Sequence, residues 1–272
     1  MAFYRKAVWF YRGWKEYTQE GYIEAEKSFN PTDLDVNLKG KSYIITGATS
    51  GIGKCLTEEI AKRGGTVHMV CRNMQEAEVI RYSLIDQTKN NEIHLHVLDL
   101  SHPRSVYQFT QEFREQFSCL DAIIHNAGCM VYTCHVDPDG IEKNFAINVL
   151  SPHIITRQLV PLLHKSERGR VVFVSSGCML VQKLDPTDIQ CQSLKQFDGM
   201  HVYANNKRQQ FWRRCTQESI LSSSVLPCTL GGLTLRGCRL PCPSSTLGCR
   251  TGYAHHGKGQ TQPSGSPSLP HL

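Results

Sequence analysis

Residues 42–63 carry three signals in an order that few folds permit. Ser42–Thr46 is a short apolar run with β-branched residues. Gly47, Gly51 and Gly53 follow at the spacing Gly-x3-Gly-x-Gly, and residues 51–63 read as a helix stopped by Gly64-Gly65. A buried strand, a glycine turn and a helix N-terminus in succession begin a βαβ unit, which commits a chain to a parallel sheet with right-handed crossovers. The glycines allow a tight turn and let the backbone approach a pyrophosphate at the positive end of the helix. A glycine triplet alone is weak evidence, and its strand–turn–helix setting strengthens it.

The alternation continues downstream. Strands are expected at Thr66–Cys71, Glu92–Leu98, Leu120–His125 and Arg170–Ser175. Helices are expected at Met74–Lys89, at Pro103–Phe117 with Ser101 as N-cap, at Gly140–Lys165 with a kink at Pro152, and at His201–Glu218. The expected fold class is α/β, a Rossmann-type doubly wound parallel sheet, incomplete at its C-terminal edge. Three segments are expected: residues 1–38 as an aromatic and basic extension, 39–218 as the nucleotide-binding domain, and 219–272 as an atypical tail. That tail has no Asp or Glu and is rich in Ser, Gly and Pro without sustained periodicity, so disorder is expected there.

Composition narrows the classes. A chain of 272 residues can bury a substantial core. No run of 18 apolar residues occurs, which excludes a spanning helix of ordinary kind. The net charge of +6 suits a phosphate-bearing ligand or an anionic surface without singling out either, and no nucleic-acid partner is expected. Twelve scattered cysteines without a secretory leader point to free thiols in a reducing, intracellular and cytoplasmic setting. Cys228, Cys238, Cys242 and Cys249, with His255 and His256, match no compact ligand spacing, so no metal site is expected. Residues 1–14, with Phe3, Tyr4, Trp9, Phe10, Tyr11 and Trp14 among Arg5, Lys6 and Arg12, read either as an interfacial membrane helix or as a helix packed on the domain.

Several residues carry chemistry. Arg72 follows the second strand, where an acidic residue would grip a ribose hydroxyl; an arginine suits the 2′-phosphate of NADP better than NAD. Asp99, ending the third strand, stands where an adenine amino group is met. Asn126-Ala127-Gly128 lies at the carboxyl edge of the sheet, where open α/β folds bind ligands. Tyr203 and Lys207, four apart, share one helix face. An ammonium beside a phenol draws its pKa toward neutrality, as a general acid–base requires. Ser175 and Ser176 end the fifth strand with hydroxyls suited to a substrate carbonyl.

In this order, Thr46-Gly47-Ala48-Thr49-Ser50-Gly51-Ile52-Gly53, Asp99, Asn126-Ala127-Gly128, Asn148, Val174-Ser175-Ser176 and Tyr203-x3-Lys207 strongly resemble the short-chain dehydrogenase/reductase family. The long interval from Ser176 to Tyr203 resembles its retinol-dehydrogenase-like branch. The resemblance covers about residues 35–210. It implies an oxidoreductase exchanging hydride between NADP(H) and a small carbonyl or alcohol of lipophilic character. Tyr203 would be the acid–base, Lys207 would hold the nicotinamide ribose and lower the Tyr203 pKa, and Ser176, ahead of Ser175, would orient the substrate oxygen. Asn148 would hold a relay water. Gly47, Ser50, Gly51, Ile52, Gly53, Arg72, Asp99, Asn126, Tyr203 and Lys207 would bind the cofactor. A homodimer through the long helix and the Tyr203 helix is also implied.

Two departures stand out. His125 replaces the first Asn of the usual Asn-Asn-Ala-Gly. The tail offers no convincing sixth strand or substrate-covering helix, and Pro227-Cys228-Thr229-Leu230-Gly231 only caricatures the family's turn. It has the character of an alternative or frame-shifted carboxyl terminus joined near Gln210. Without a sixth strand, Arg170–Ser175 would form an exposed apolar edge. The alternative to an active enzyme is therefore a catalytically impaired nucleotide-binding variant with a regulatory role or none.

Overall fold

Apolar runs become parallel strands here because helices cover both faces of the sheet. In the computed structural model, which describes residues 2–16, 18–217 and 225–229, β1 (Ser42–Thr46), β2 (Thr66–Cys71), β3 (Ile93–Val97), β4 (Ala122–His125), β5 (Arg170–Ser175) and β6 (Val225–Thr229) form one sheet in the order β3-β2-β1-β4-β5-β6. Every pairing is parallel. This is the doubly wound order, and its switch point falls between β1 and β4.

Period-two alternation sorts the core. Ile44, Ile123 and Phe173 point to one face, where Phe109 and Phe113 of α5 (Pro103–Gln116) and Ile155 and Leu159 of α7 (Ser151–Leu163) meet them. Ile45, Ile124 and Val174 point to the other, against Ala61 of α3 (Gly51–Lys62) and Ala77 and Leu84 of α4 (Met74–Thr88). Each fully buried branched side chain contributes about 1.5–3 kcal/mol, so the two faces hold the sheet together.

The sixth strand corrects the sequence reading. Val225–Thr229 pairs with β5 from Val171↔Val225 to Ser175↔Thr229, so β5 is not an exposed edge. Its partner is the open backbone of β5, a non-local cue that no local pattern in the tail announces. Pro227, opposite Phe173, is tolerated because β6 is the last strand of the described sheet. The rest of 219–272, with the disorder expected there and most of the cysteines excluded as ligands, lies outside the described residues.

The long helix also departs from expectation. α6 (Lys143–Phe145) starts after Gly140, which turns at φ +80°, and the Glu142 carboxylate caps Phe145 N at 2.8 Å. A π turn, Ala146–Leu150, then leads into α7, with Pro152 in its first turn. Ser101 is not the cap of α5; His102 holds that place directly before Pro103, while Ser101 N donates to Asp99 Oδ1 at 2.8 Å. At the N-terminus, α1 (Ala2–Glu16) packs on α2 (Gln19–Glu26) and on the 3₁₀ turn Gly177–Val181. The last helix is α8 (Gly199–Gln217). No helix among the described residues is long and apolar enough to cross a membrane.

Candidate active site

The cradle at the switch point is built from backbone. Gly47 turns at φ +67°, and a side chain there would press on Ala127. A Cβ at Gly53 would overlap Gly47 O and stand 2.5 Å from Asn126 Nδ2. That amide donates to Thr46 O at 3.0 Å and Gly47 O at 3.1 Å, locking the end of β4 to the end of β1. Thr46 Oγ1 accepts from Asn126 N at 3.1 Å and from Ala127 N at 3.0 Å, a tie the sequence reading missed. Ser50 precedes α3 but makes no side-chain cap, which leaves the first helical N–H groups for an anion.

A cleft of about 440 Å³ opens beside this cradle. Gly47, Ser50, Arg72, Asp99 and Asn126 line it together with Asn73, the polar neighbour expected beside Arg72, and with Thr49, Glu76 and Cys129, which the sequence does not single out. Gly51, Ile52 and Gly53 do not line it; they form the helix start behind it. Asn73 Oδ1 caps α4 by accepting from Glu76 N at 3.3 Å. Burial pushes the Asp99 carboxyl up, but hydrogen bonds from the Ser101 N–H and hydroxyl, with the charges of His102 and Arg72, outweigh it and hold the group below its ordinary range. Glycines that exclude side chains, uncapped helix amides and the exposed Arg72 make this cleft chemically suited to a phosphate-bearing ligand.

The second half of the site gathers at the end of β5. Ser176 stands by the Tyr203 hydroxyl, close enough to hold its pKa down, and its Oγ accepts from Cys178 N at 3.3 Å. Ser175 is turned into the core, toward Met179 Sδ at 3.6 Å. Lys207 Nζ lies 5.5 Å from the centre of the Tyr203 ring and donates to Val174 O at 2.8 Å. Burial lowers the Lys207 ammonium to about 8. Burial raises the Tyr203 phenol, and the Ser176 side chain opposes this without cancelling it. The expected lowering of Tyr203 by Lys207 is thus not what this arrangement gives: Lys207 faces the ring and a carbonyl, and desolvation dominates.

Asn148 sits in the π turn. Its Oδ1 accepts from Cys129 N at 2.9 Å and its Nδ2 donates to Cys129 O at 2.8 Å. Asn144, four residues earlier, accepts from Val131 N at 2.9 Å. The two buried amides pin the loop after β4 beneath Gly128, where a Cβ would stand 3.3 Å from Asn148 Oδ1 and 3.4 Å from Lys207 Nζ. The Asn148 carbonyl has a further partner. Gln210 of α8, 2% exposed, donates Nε2 to that carbonyl at 2.6 Å. Sequence reading missed Gln210; its signal is the spacing of three from Lys207, which keeps it on the site-facing side of α8. His125, in place of the usual asparagine, is buried with Nε2 2.8 Å from Thr156 Oγ1.

The family model described as short chain dehydrogenase matches residues 41–184. The chain belongs to the short chain dehydrogenase family. It is 49% identical over 210 residues to the cattle and human proteins named dehydrogenase/reductase SDR family member 12, covering 77% of this chain and 66% of theirs. The matched part thus spans slightly less than two thirds of those relatives. Mouse retinol dehydrogenase 12 is 34% identical over 173 residues, 64% of this chain and 54% of that protein. Among solved structures, an Escherichia coli short chain dehydrogenase complexed with NADPH superposes with a TM-score of 0.56 at 24% identity, over 71% of this chain and 76% of that one. An uncharacterized Mycobacterium paratuberculosis protein superposes at 0.59 with 26% identity, over 71% and 69%. These likenesses establish the fold and the family.

Proposed function

We propose that this chain is an NADP(H)-dependent oxidoreductase acting on a small, lipophilic carbonyl or alcohol. The observation that carries the reading is the joint placement of the Ser176–Tyr203 hydroxyl pair and Lys207 at the sheet's carboxyl end, beside the cleft lined by Gly47, Arg72 and Asn126. NADPH, when bound, supplies the hydride. Ser176 orients the substrate oxygen, and Tyr203 Oη donates its proton there or accepts it in reverse. Lys207 holds the ribose side, and Asn148 positions the Gly128–Cys129 loop beneath it. Asp99 and Arg72 grip the adenosine end, with Arg72 favouring the 2′-phosphate over NAD.

The same proposal takes residues 39–218, joined by β6 (Val225–Thr229), as the catalytic domain, 1–38 as an extension and the rest of 219–272 as a tail. It places the chain in the reducing cytoplasm as a homodimer through α7 and α8, with peripheral membrane contact through residues 1–14. One observation favours the second reading, an impaired nucleotide-binding chain: burial raises the Tyr203 phenol. Titration of the purified chain with NADPH and NADH separates these. Micromolar NADPH binding, abolished by Arg72→Glu, with turnover of an aromatic aldehyde lost in Tyr203→Phe, supports the enzyme. Binding without turnover supports the impaired chain, and absence of binding refutes both.

A further inference from the structure

α1 shows solvent a face that the domain does not need. Positions 4, 7, 11 and 14 share one side of the helix and position 10 adjoins it. On that side Tyr4 is 73% exposed, Phe10 65%, Tyr11 70% and Trp14 74%. The opposite side is spoken for: Trp9, Gly13 and Glu16 are half-buried, and α1 lies against the turn Gly177–Val181. Four large aromatics turned outward on one helix are unusual where an inward face is already packed, because each exposed ring forgoes burial.

The charges tell which occupant fits. Residues 2–16 carry Arg5, Lys6, Arg12 and Lys15 against the single acid Glu16. Arg12 and Lys15 are exposed beside the aromatic face. Trp and Tyr with an apolar body and a polar edge, flanked by cations on long stems, suit the boundary between headgroups and acyl chains. The chain's net charge of +6 adds to the attraction toward an anionic leaflet. A second copy of this face would bring the same cations together, which disfavours a symmetric dimer through it.

We propose that α1 is an interfacial helix that seats the domain on an anionic phospholipid surface, with its Tyr4–Phe10–Tyr11–Trp14 face in the membrane boundary. The turn that α1 packs on begins one residue after Ser176, so docking holds the substrate side of the site near the lipid. A carbonyl substrate dissolved in the bilayer then reaches Tyr203 over a short path; this part rests on the oxidoreductase reading, whereas lipid binding does not.

The test is vesicle flotation of the full chain with phosphatidylcholine alone and with phosphatidylcholine plus phosphatidylserine, alongside the double variant Phe10→Ser/Trp14→Ser. Both substituted side chains are exposed, so the fold is kept, and unchanged NADPH affinity in the variant verifies that. The expected result is flotation with the phosphatidylserine vesicles, weakened by added salt, and at least about tenfold weaker in the double variant. No flotation of the parent chain overturns the proposal, as does equal flotation of the variant or indifference to phosphatidylserine. A parent dimer that the double variant converts to monomer, without vesicle binding, overturns it in favour of a second copy. Vesicle binding in a chain that takes up no NADPH refutes the oxidoreductase reading and leaves the lipid surface standing.

Discussion

Lowering the pH from 7 to 5 is expected to remove most of this domain's stability, and His68→Phe is expected to return about a third of the loss. His68 on β2 is fully buried, with Nδ1 3.0 Å from His96 Nε2. It lies in an aromatic nest, 4.9 Å from Phe113 and 4.4 Å from Phe117. Burial and the neighbouring His96 and His94 lower it to about 3, and burial with His94 lowers His96 to about 4. Burial, with the charge of Lys207, lowers His125 to about 3. All three imidazoles are therefore neutral in the folded chain at pH 5 but protonated when unfolded, where the ordinary value is about 6.5. Protons that bind only the unfolded chain cost stability as the pH falls, from about 6.5 down to the folded values. Each group forfeits about 2 kcal/mol between pH 7 and 5, or about 6 kcal/mol together. Domain stability is about 5–15 kcal/mol, so the loss is decisive. Urea unfolding followed by tryptophan fluorescence at both pH values, with matched m-values, measures it. A pH 7-to-5 drop in His68→Phe as large as the parent's would refute the reasoning, because His68 would then be charged or solvated in the native state.

Other outcomes follow from the site. Gln210→Leu removes the buried side-chain donor to the Asn148 carbonyl and should cost about 1–3 kcal/mol in thermal or urea unfolding, whereas Gln210→Glu, keeping the shape but not the donor, should not rescue it. Gly53→Ala forces a methyl into Gly47 O and Asn126 Nδ2, so NADPH affinity should fall at least about tenfold, a perturbation worth over 1 kcal/mol by calorimetry. Lys207→Met should raise stability at pH 7 by about 2 kcal/mol while abolishing turnover, because an ammonium lowered to about 8 is held against its preference for water. A less stable Lys207→Met in a urea melt would contradict this.

The strands whose ends were read correctly, Ser42–Thr46, Thr66–Cys71 and Arg170–Ser175, are those whose apolar runs are bounded by glycine, polar or charged residues. Their burial on both faces writes itself into composition. β6 was missed because it contains Pro227 and owes its conformation to the edge of β5, far away in sequence. The candidate residues could be named from sequence because a glycine cradle and a Tyr-x3-Lys face need particular residue types at fixed spacing. Their titration was not, since the rise in the Tyr203 phenol depends on how much water the fold removes. The histidine cluster was equally hidden, because His68 meets His94 and His96 only through the register of β2 against β3. The π turn was hidden too: Pro152 read as a kink, whereas the chain ahead of it widens into a π turn whose Asn148 carbonyl accepts from Gln210 of another helix.

That borrowed hydrogen bond separates having the motifs from having the site. Gln210 stands three residues beyond Lys207, past the last position by which the family is recognised. A chain shortened between the two would still display the glycine turn, Asn148, Ser176, Tyr203 and Lys207, and any motif search would pass it. Yet the segment bearing Asn148 would have lost its stitch to α8, and the loop under Gly128 would rest on an unmoored turn. For relatives with altered carboxyl ends, the residue to inspect is the amide that completes the frame, one helical turn after the signature has finished.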